Sequence, residues 1–207
     1  MIKWPFSILA GLANLRNLRF LLVGLVIVGA TVSSTTTTAS THLQKNTHMD
    51  TPIIDFDALK KANWSDQEVQ NATVIVDFVQ HLMNNHDFDY ILEKYGDNPY
   101  VQHNRNIPDG IAGLVDFVGK FAKRYPEYAY DVKHILVDGE YVTFHSHATV
   151  KQAHRGDEQM GLNIKDTWRV VNGQVVEHWD AIQAINSSMR FFVWLSGGAV
   201  RNANGIF

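Results

Sequence analysis

An α+β domain, with helices first and an antiparallel sheet last, is what this sequence predicts, and three observations carry that reading. Between residues 65 and 124 apolar residues recur at three- and four-residue steps. From Tyr128 onward the period changes to two. Asp138-Gly139 and Asn172-Gly173 then separate apolar runs, and such pairs signal hairpins because they accept the positive φ of tight turns. Elements segregated in this way place helices on one face of an antiparallel sheet.

Ser65-Asp66-Gln67-Glu68 reads as a capping box, Ser at the N-cap and Glu three residues later. Behind it Val69, Ala72, Val76, Val79 and Met83, widened by Ile75, Phe78 and Leu82, predict a helix with one broad buried face. It should end near Asn85-His86. Asp87 caps a short helix over Phe88–Tyr95, closed by Gly96. Pro99 opens an extended segment, Tyr100–Asn104, and Pro108-Asp109-Gly110 makes a turn. A third helix follows from about Ile111 to Arg124, with Leu114, Val115, Phe117, Val118 and Phe121 at helical spacing and Pro126 beyond its end. Strands are expected over Tyr128–Val137, Tyr141–Val150, Leu162–Val171 and Gln174–Ile185. The stretch Ser187–Phe207 carries Met189, Phe191, Phe192, Val193, Trp194 and Leu195. It is too apolar to stay solvated, so a short helix that closes a pocket or packs on a partner chain is expected.

The chain of 207 residues is 45% apolar and 19% charged, a globular composition sufficient for one domain. With a net charge of -3 and no Lys/Arg-rich run, a nucleic-acid partner has no electrostatic support. The absence of cysteine removes disulfides, thiolate metal sites and cysteine nucleophiles. Lys3, Arg16 and Arg19 precede the apolar run Phe20–Val32, and the polar Ser33–Thr41 follows. Residues 1–39 thus read as a signal peptide for export to the periplasm or medium. If uncleaved, they read as an N-terminal membrane anchor that Trp4–Leu18 would lengthen. A start at Met49 would instead leave the protein cytoplasmic. Residues 40–62 read as a linker, 63–186 as the domain and 187–207 as an apolar tail. Asn63, Asn71 and Asn186 open Asn-x-Ser/Thr triplets, which matter only in a glycosylating pathway.

The strand Tyr100-Val101-Gln102-His103-Asn104, followed by Pro108-Asp109-Gly110-Ile111-Ala112-Gly113-Leu114, resembles the first half of a SnoaL-like domain of the NTF2-like superfamily. The second half agrees, with Val137-Asp138-Gly139 before Val142-Thr143-Phe144-His145-Ser146-His147. Its most specific part runs Asp166-Thr167-Trp168-Arg169-Val170-Val171-Asn172-Gly173-Gln174-Val175-Val176-Glu177-His178-Trp179-Asp180. The resemblance covers about residues 65–185. It implies an NTF2-like cone, three N-terminal helices packed on a curved antiparallel sheet of five to six strands, often a homodimer through the outer sheet face. It further implies a pocket for a small hydrophobic ligand and acid–base chemistry without a cofactor, as in polyketide cyclases that close rings by aldol condensation. The acid/base Asp of those cyclases matches Asp166, and their polar residue on the first strand matches His103. The His145-Ser146-His147 pair and the longer loop after it depart from the cyclase pattern.

Strand alternation puts Leu162, Ile164, Asp166, Trp168 and Val170 on one face. A carboxylate in such an apolar row is either paired or functional, since a lone buried charge is costly, and burial raises its pKa toward proton-transfer range. Asp166 and His103 are therefore the candidate catalytic pair, one taking an α-proton while the other holds the carbonyl oxygen. Trp168, Tyr100, His145, His147, His178 and Trp179 complete a candidate substrate-binding set. His145 and His147 share a face opposite Val142, Phe144 and Ala148, so a bulge would be needed to turn them inward. Of His178 and Trp179 only one can line the pocket in a regular strand. No metal site is expected. An exported binding protein without catalysis is the competing reading, and a scaffold with a filled pocket a third. No Gly-x-Ser-x-Gly elbow or phosphate loop is present.

Overall fold

The computed structural model describes residues 51–196, 201, 202 and 204. The N-terminal signal or anchor lies outside them. The first ordered feature is α1 (Phe56–Leu59), capped by Asp55, whose Oδ1 accepts from Ala58 N at 3.1 Å. This helix lies within the stretch read as a linker, 40–62. Ile54 is buried, its N–H donates to Gln80 Oε1 at 3.0 Å, and Pro52 O accepts from Gln80 and Asn84. An apolar side chain with main-chain partners docks a segment that composition alone reads as loose.

Helix α2 (Asp66–Val79) begins at the capping box: Glu68 N donates to Ser65 Oγ at 3.3 Å and Ser65 N to Glu68 Oε2 at 2.8 Å. Ala72, Ile75, Phe78 and Val79 form its buried face. It continues as a wider π-helical turn, Gln80–Asn85, and stops at left-handed His86 (φ 54°). That turn aims Asn84 at the sheet. Asn84 Oδ1 accepts from Tyr130 N at 2.7 Å, and its amide donates to Tyr130 O at 3.0 Å. Helix α3 (Phe88–Tyr95) is tied to α2 by Asp77, which accepts from Tyr90, Tyr95 and Lys94. Helix α4 (Gly110–Arg124) follows the two-residue strand β1 (Val101–Gln102).

The long strands are β2 (Ala129–Asp138), β3 (Tyr141–Thr149), β4 (Leu162–Val171) and β5 (Gln174–Ala184). Their hairpins turn at Gly139 (φ 58°) and at Asn172-Gly173 (φ 52° and 77°), as the Asp-Gly and Asn-Gly signals predict. The sheet order is β1-β5-β4-β3-β2. The four long strands are antiparallel, whereas β1 joins β5 in parallel, pairing Val101 with Glu177 and Gln102 with His178. The register shifts between Val132 and His134, and again beside Arg169 and Val170; such bulges bend and twist a strand. The core lies between the helices and the sheet face bearing Ile135, Val142, Phe144, Ile164 and Val170. The last helix, α5 (Ser187–Ser196), buries Met189 and packs Phe192 against this core.

Asn84→Ala is expected to cost about 3 kcal/mol, because it leaves both Tyr130 main-chain groups without partners. Ser65→Ala should cost about 1 kcal/mol through the lost cap. Urea unfolding followed by circular dichroism measures both; equal losses would contradict the pinning role of Asn84.

Candidate active site

Helices and sheet enclose a cavity of about 480 Å³, a size typical of small-molecule sites. Phe78, Leu114, Phe117 and Phe121 from the helices and Ile164 from β4 make its walls mainly apolar. Polar groups converge where β1, β5 and β4 lie side by side.

Asp166 is 3% exposed and opens onto this cavity. Burial raises its pKa above the ordinary carboxylate value; hydrogen bonding and charge from His178 oppose the rise, and the nearby Asp180 adds to it. Asp166 Oδ1 lies 3.2 Å from His178 Nε2. The other oxygen, Oδ2, is buried with no hydrogen bond of normal geometry, although the Tyr130 phenol draws the acid slightly downward. The His178 ring lies between Tyr100 (centroids 6.2 Å apart, 16° between planes) and Trp168 (5.2 Å, 28°).

Gln102 fixes the tautomer of that ring. Its Oε1 accepts from the Asn104 main-chain N–H at 2.9 Å, and a main-chain N–H can only donate. The same Oε1 lies 2.9 Å from His178 Nδ1, so Nδ1 must carry hydrogen. A neutral ring then presents only a lone pair at Nε2. Since two bare acceptors repel, the 3.2 Å contact with Asp166 requires one proton between them, on the acid or on the ring. The proton belongs to the pair.

The phenols around the acid stay protonated. Burial, reinforced by the Asp166 charge, pushes Tyr100, Tyr128 and Tyr130 above the usual phenol value. Asp166, His178 and Asp180 also bring one donor atom each within 4.8 Å of one another, close enough to hold a divalent cation. Asp180 is already engaged, its Oδ2 accepting from the Asn104 amide at 2.6 Å.

Of the residues predicted from sequence, Asp166, Trp168, Tyr100 and His178 meet in the cavity. His103 stands at its rim. There it stacks on Trp179 at 4.5 Å, and its Nε2 lies 3.7 Å from Glu177 Oε1; the histidine joined to Asp166 is His178. Trp179 occupies the outer face of β5, against His103 and Tyr141. His145 is also on the outer face, with Nδ1 3.2 Å from His134 Nδ1 and Nε2 2.8 Å from Asn163 Oδ1. His147 is buried apart from the cavity, its Nε2 2.7 Å from Met160 O. No bulge turns the β3 histidines inward: His145 opposes Lys165, while Phe144 opposes Asp166. Gln102, Asn104 and Tyr130 were not singled out by the sequence reading. Alternation along Tyr100-x-Gln102-x-Asn104 carried a signal for two of them, since residues two apart share a face.

Sheet, helices and a buried Asp166–His178 contact beside an apolar cavity define an α+β pocket protein. The SnoaL-like domain model matches residues 75–178, just over half of the chain, and the protein belongs to that family within the NTF2-like superfamily. Among solved structures it is similar to a protein provisionally named a SnoaL-like polyketide cyclase from Jannaschia sp. CCS1. The two share 15% identity over 67% of this chain and 99% of that one, with a TM-score of 0.50. A provisional polyketide cyclase from Bacillus cereus ATCC 10987 shares 20% identity over 59% of this chain and 81% of that chain, TM-score 0.48. AclR from Streptomyces galilaeus, provisionally named a hydroxylase, shares 19% over 62% and 96%, TM-score 0.46. These likenesses concern the fold. No curated protein matches the sequence.

Two outcomes are expected. Nitrogen-15 NMR should find hydrogen on His178 Nδ1, and Gln102→Leu should abolish that preference; a bare Nδ1 in the parent removes the tautomer argument. The folded Asp166 holds its proton to higher pH than the unfolded carboxyl. Its stabilising contribution is therefore complete below the unfolded carboxylate range and is lost as pH rises through the folded value. Asp166→Asn should thus gain in Tm over the parent as pH moves from acid to neutral, and a gap that shrinks with pH contradicts this.

Proposed function

We propose that this domain is an acid–base enzyme acting on a small apolar carbonyl compound, in an aldol condensation or an isomerisation. The observation that supports it is the 3.2 Å contact between the buried Asp166 and His178 beside an apolar cavity. With that proton on His178, the Asp166 carboxylate abstracts a proton from the carbon next to the substrate carbonyl. The enolate oxygen takes a hydrogen bond from a phenol, Tyr100 or Tyr130. The enolate carbon then attacks a second carbonyl, forming the C–C bond, and Asp166 returns its proton to the resulting alkoxide. Return of the proton to a different carbon is the isomerisation. Neither route consumes an oxidant or a cofactor. His178 compensates the charge on Asp166, Gln102 holds His178, and His103 lies at the entrance.

Mass spectrometry of ligand retained by the purified protein would supply the compound for assay. With it, Asp166→Asn should lower kcat about 10³-fold, within the range for a lost general acid–base group, with little change in binding. Turnover unaffected by that variant, or turnover that requires an added divalent ion, would overturn the proposal. Tight binding with no turnover by the parent protein would favour an exported carrier.

A further inference from the structure

We propose that the outer face of α5 docks on an anionic lipid surface and turns the cavity mouth toward the membrane. The helix has two apolar faces. Met189 is buried, and Phe192 and Val193 line the cavity. On the other side Phe191 is 60% exposed, Trp194 74% and Leu195 62%, and the two aromatic rings stack at 5.9 Å. A folded domain seldom leaves Phe, Trp and Leu together in water unless something covers them.

Charge identifies the cover. No Asp or Glu follows Asp180 to the end of the chain, whereas Arg190 and Arg201 do. Both arginines are exposed, as is Arg105 on the cavity rim. Arg201 N donates to Arg105 O at 2.7 Å, and its guanidinium lies 6.0 Å from the ring of Phe117, a wall residue. Around the cavity Asp180 is engaged by Asn104, Glu177 by Arg169, and Asp109 by Gln102 N and Asn204, while Asp157 and Glu158 are exposed on the loop that reaches Asn186 through Met160. An aromatic and aliphatic knob on α5 thus accompanies exposed arginines on the helix and at the cavity rim, the pattern of an interfacial helix on anionic headgroups. A second copy is less suited, since a two-fold contact through α5 brings a second Arg190 to the contact and the helix itself supplies no acid. The chain's own apolar run Phe20–Val32 is likewise flanked by Arg16 and Arg19. A compound dissolved in lipid would then enter the cavity past Phe192 and Val193 without crossing water. The docking stands whether or not the cavity performs chemistry.

The absence of cysteine allows a direct test on the full chain. Leu195→Cys and, as a control on β2, Leu136→Cys (61% exposed) each receive an environment-sensitive NBD fluorophore. Phosphatidylcholine vesicles with phosphatidylglycerol should brighten and blue-shift the label at 195, and nitroxide-bearing lipid should quench it. The label at 136 should respond to neither. Phosphatidylcholine alone, or the triple variant Arg105→Gln, Arg190→Gln, Arg201→Gln with phosphatidylglycerol, should weaken the response at least about tenfold, the equivalent of about 1.4 kcal/mol. No vesicle response at 195, or equal quenching at 195 and 136, overturns the proposal. So does a response without vesicles, marking a second copy where it grows with protein concentration and the chain's own apolar run where it does not.

Discussion

The site depends on one contact, the 3.2 Å approach of Asp166 to His178 inside an apolar enclosure. A buried carboxylate is unstable alone and a buried imidazole lone pair is a poor neighbour for it, yet together with one proton they satisfy each other. Everything adjacent bears on where that proton sits. Gln102 denies it to the far nitrogen, Tyr100 and Trp168 hold the plane of the ring, and Asp180 adds negative charge beside the acid.

The sheet makes this contact by putting three functions on three neighbouring strands. Asp166 comes from β4, His178 from β5 and Gln102 from β1, and the register pairs Gln102 directly with His178. The parallel β1–β5 pair is therefore short but consequential. Two residues of strand carry the group that decides the tautomer, and Asn104, just beyond them, engages both Gln102 and Asp180. The helices supply the apolar walls and, through Asn84, hold β2 in place beneath them.

Much of this was legible in the residues. The capping box, the Asp-Gly and Asn-Gly turns and the change of period are local signals, and they located α2 and the four long strands closely. Alternation alone put Asp166 and Trp168 on the buried face. What local pattern could not give was pairing between distant segments. That β1 would lie parallel to β5 was not readable from Tyr100–Asn104, so the acid was paired with His103, whereas the histidine hydrogen-bonded to it is His178 from β5. The docked segment around Ile54 was missed for a similar reason. Its hydrogen bonds go to Gln80 and Asn84, which become available only in the π-helical turn.

The chain's last described residues reach back to the same place. Asn204 donates to Gln102 O at 2.9 Å, and Asn202 donates to the main chain at Asn104 and Ile107. The main chain of the residue that orients His178 is thus clasped by residues about a hundred positions further along the chain. Loss of Asn202 and Asn204 would free that clasp and loosen the strand that holds the imidazole. For anyone trimming this protein, the residues beyond α5 are the wrong ones to remove.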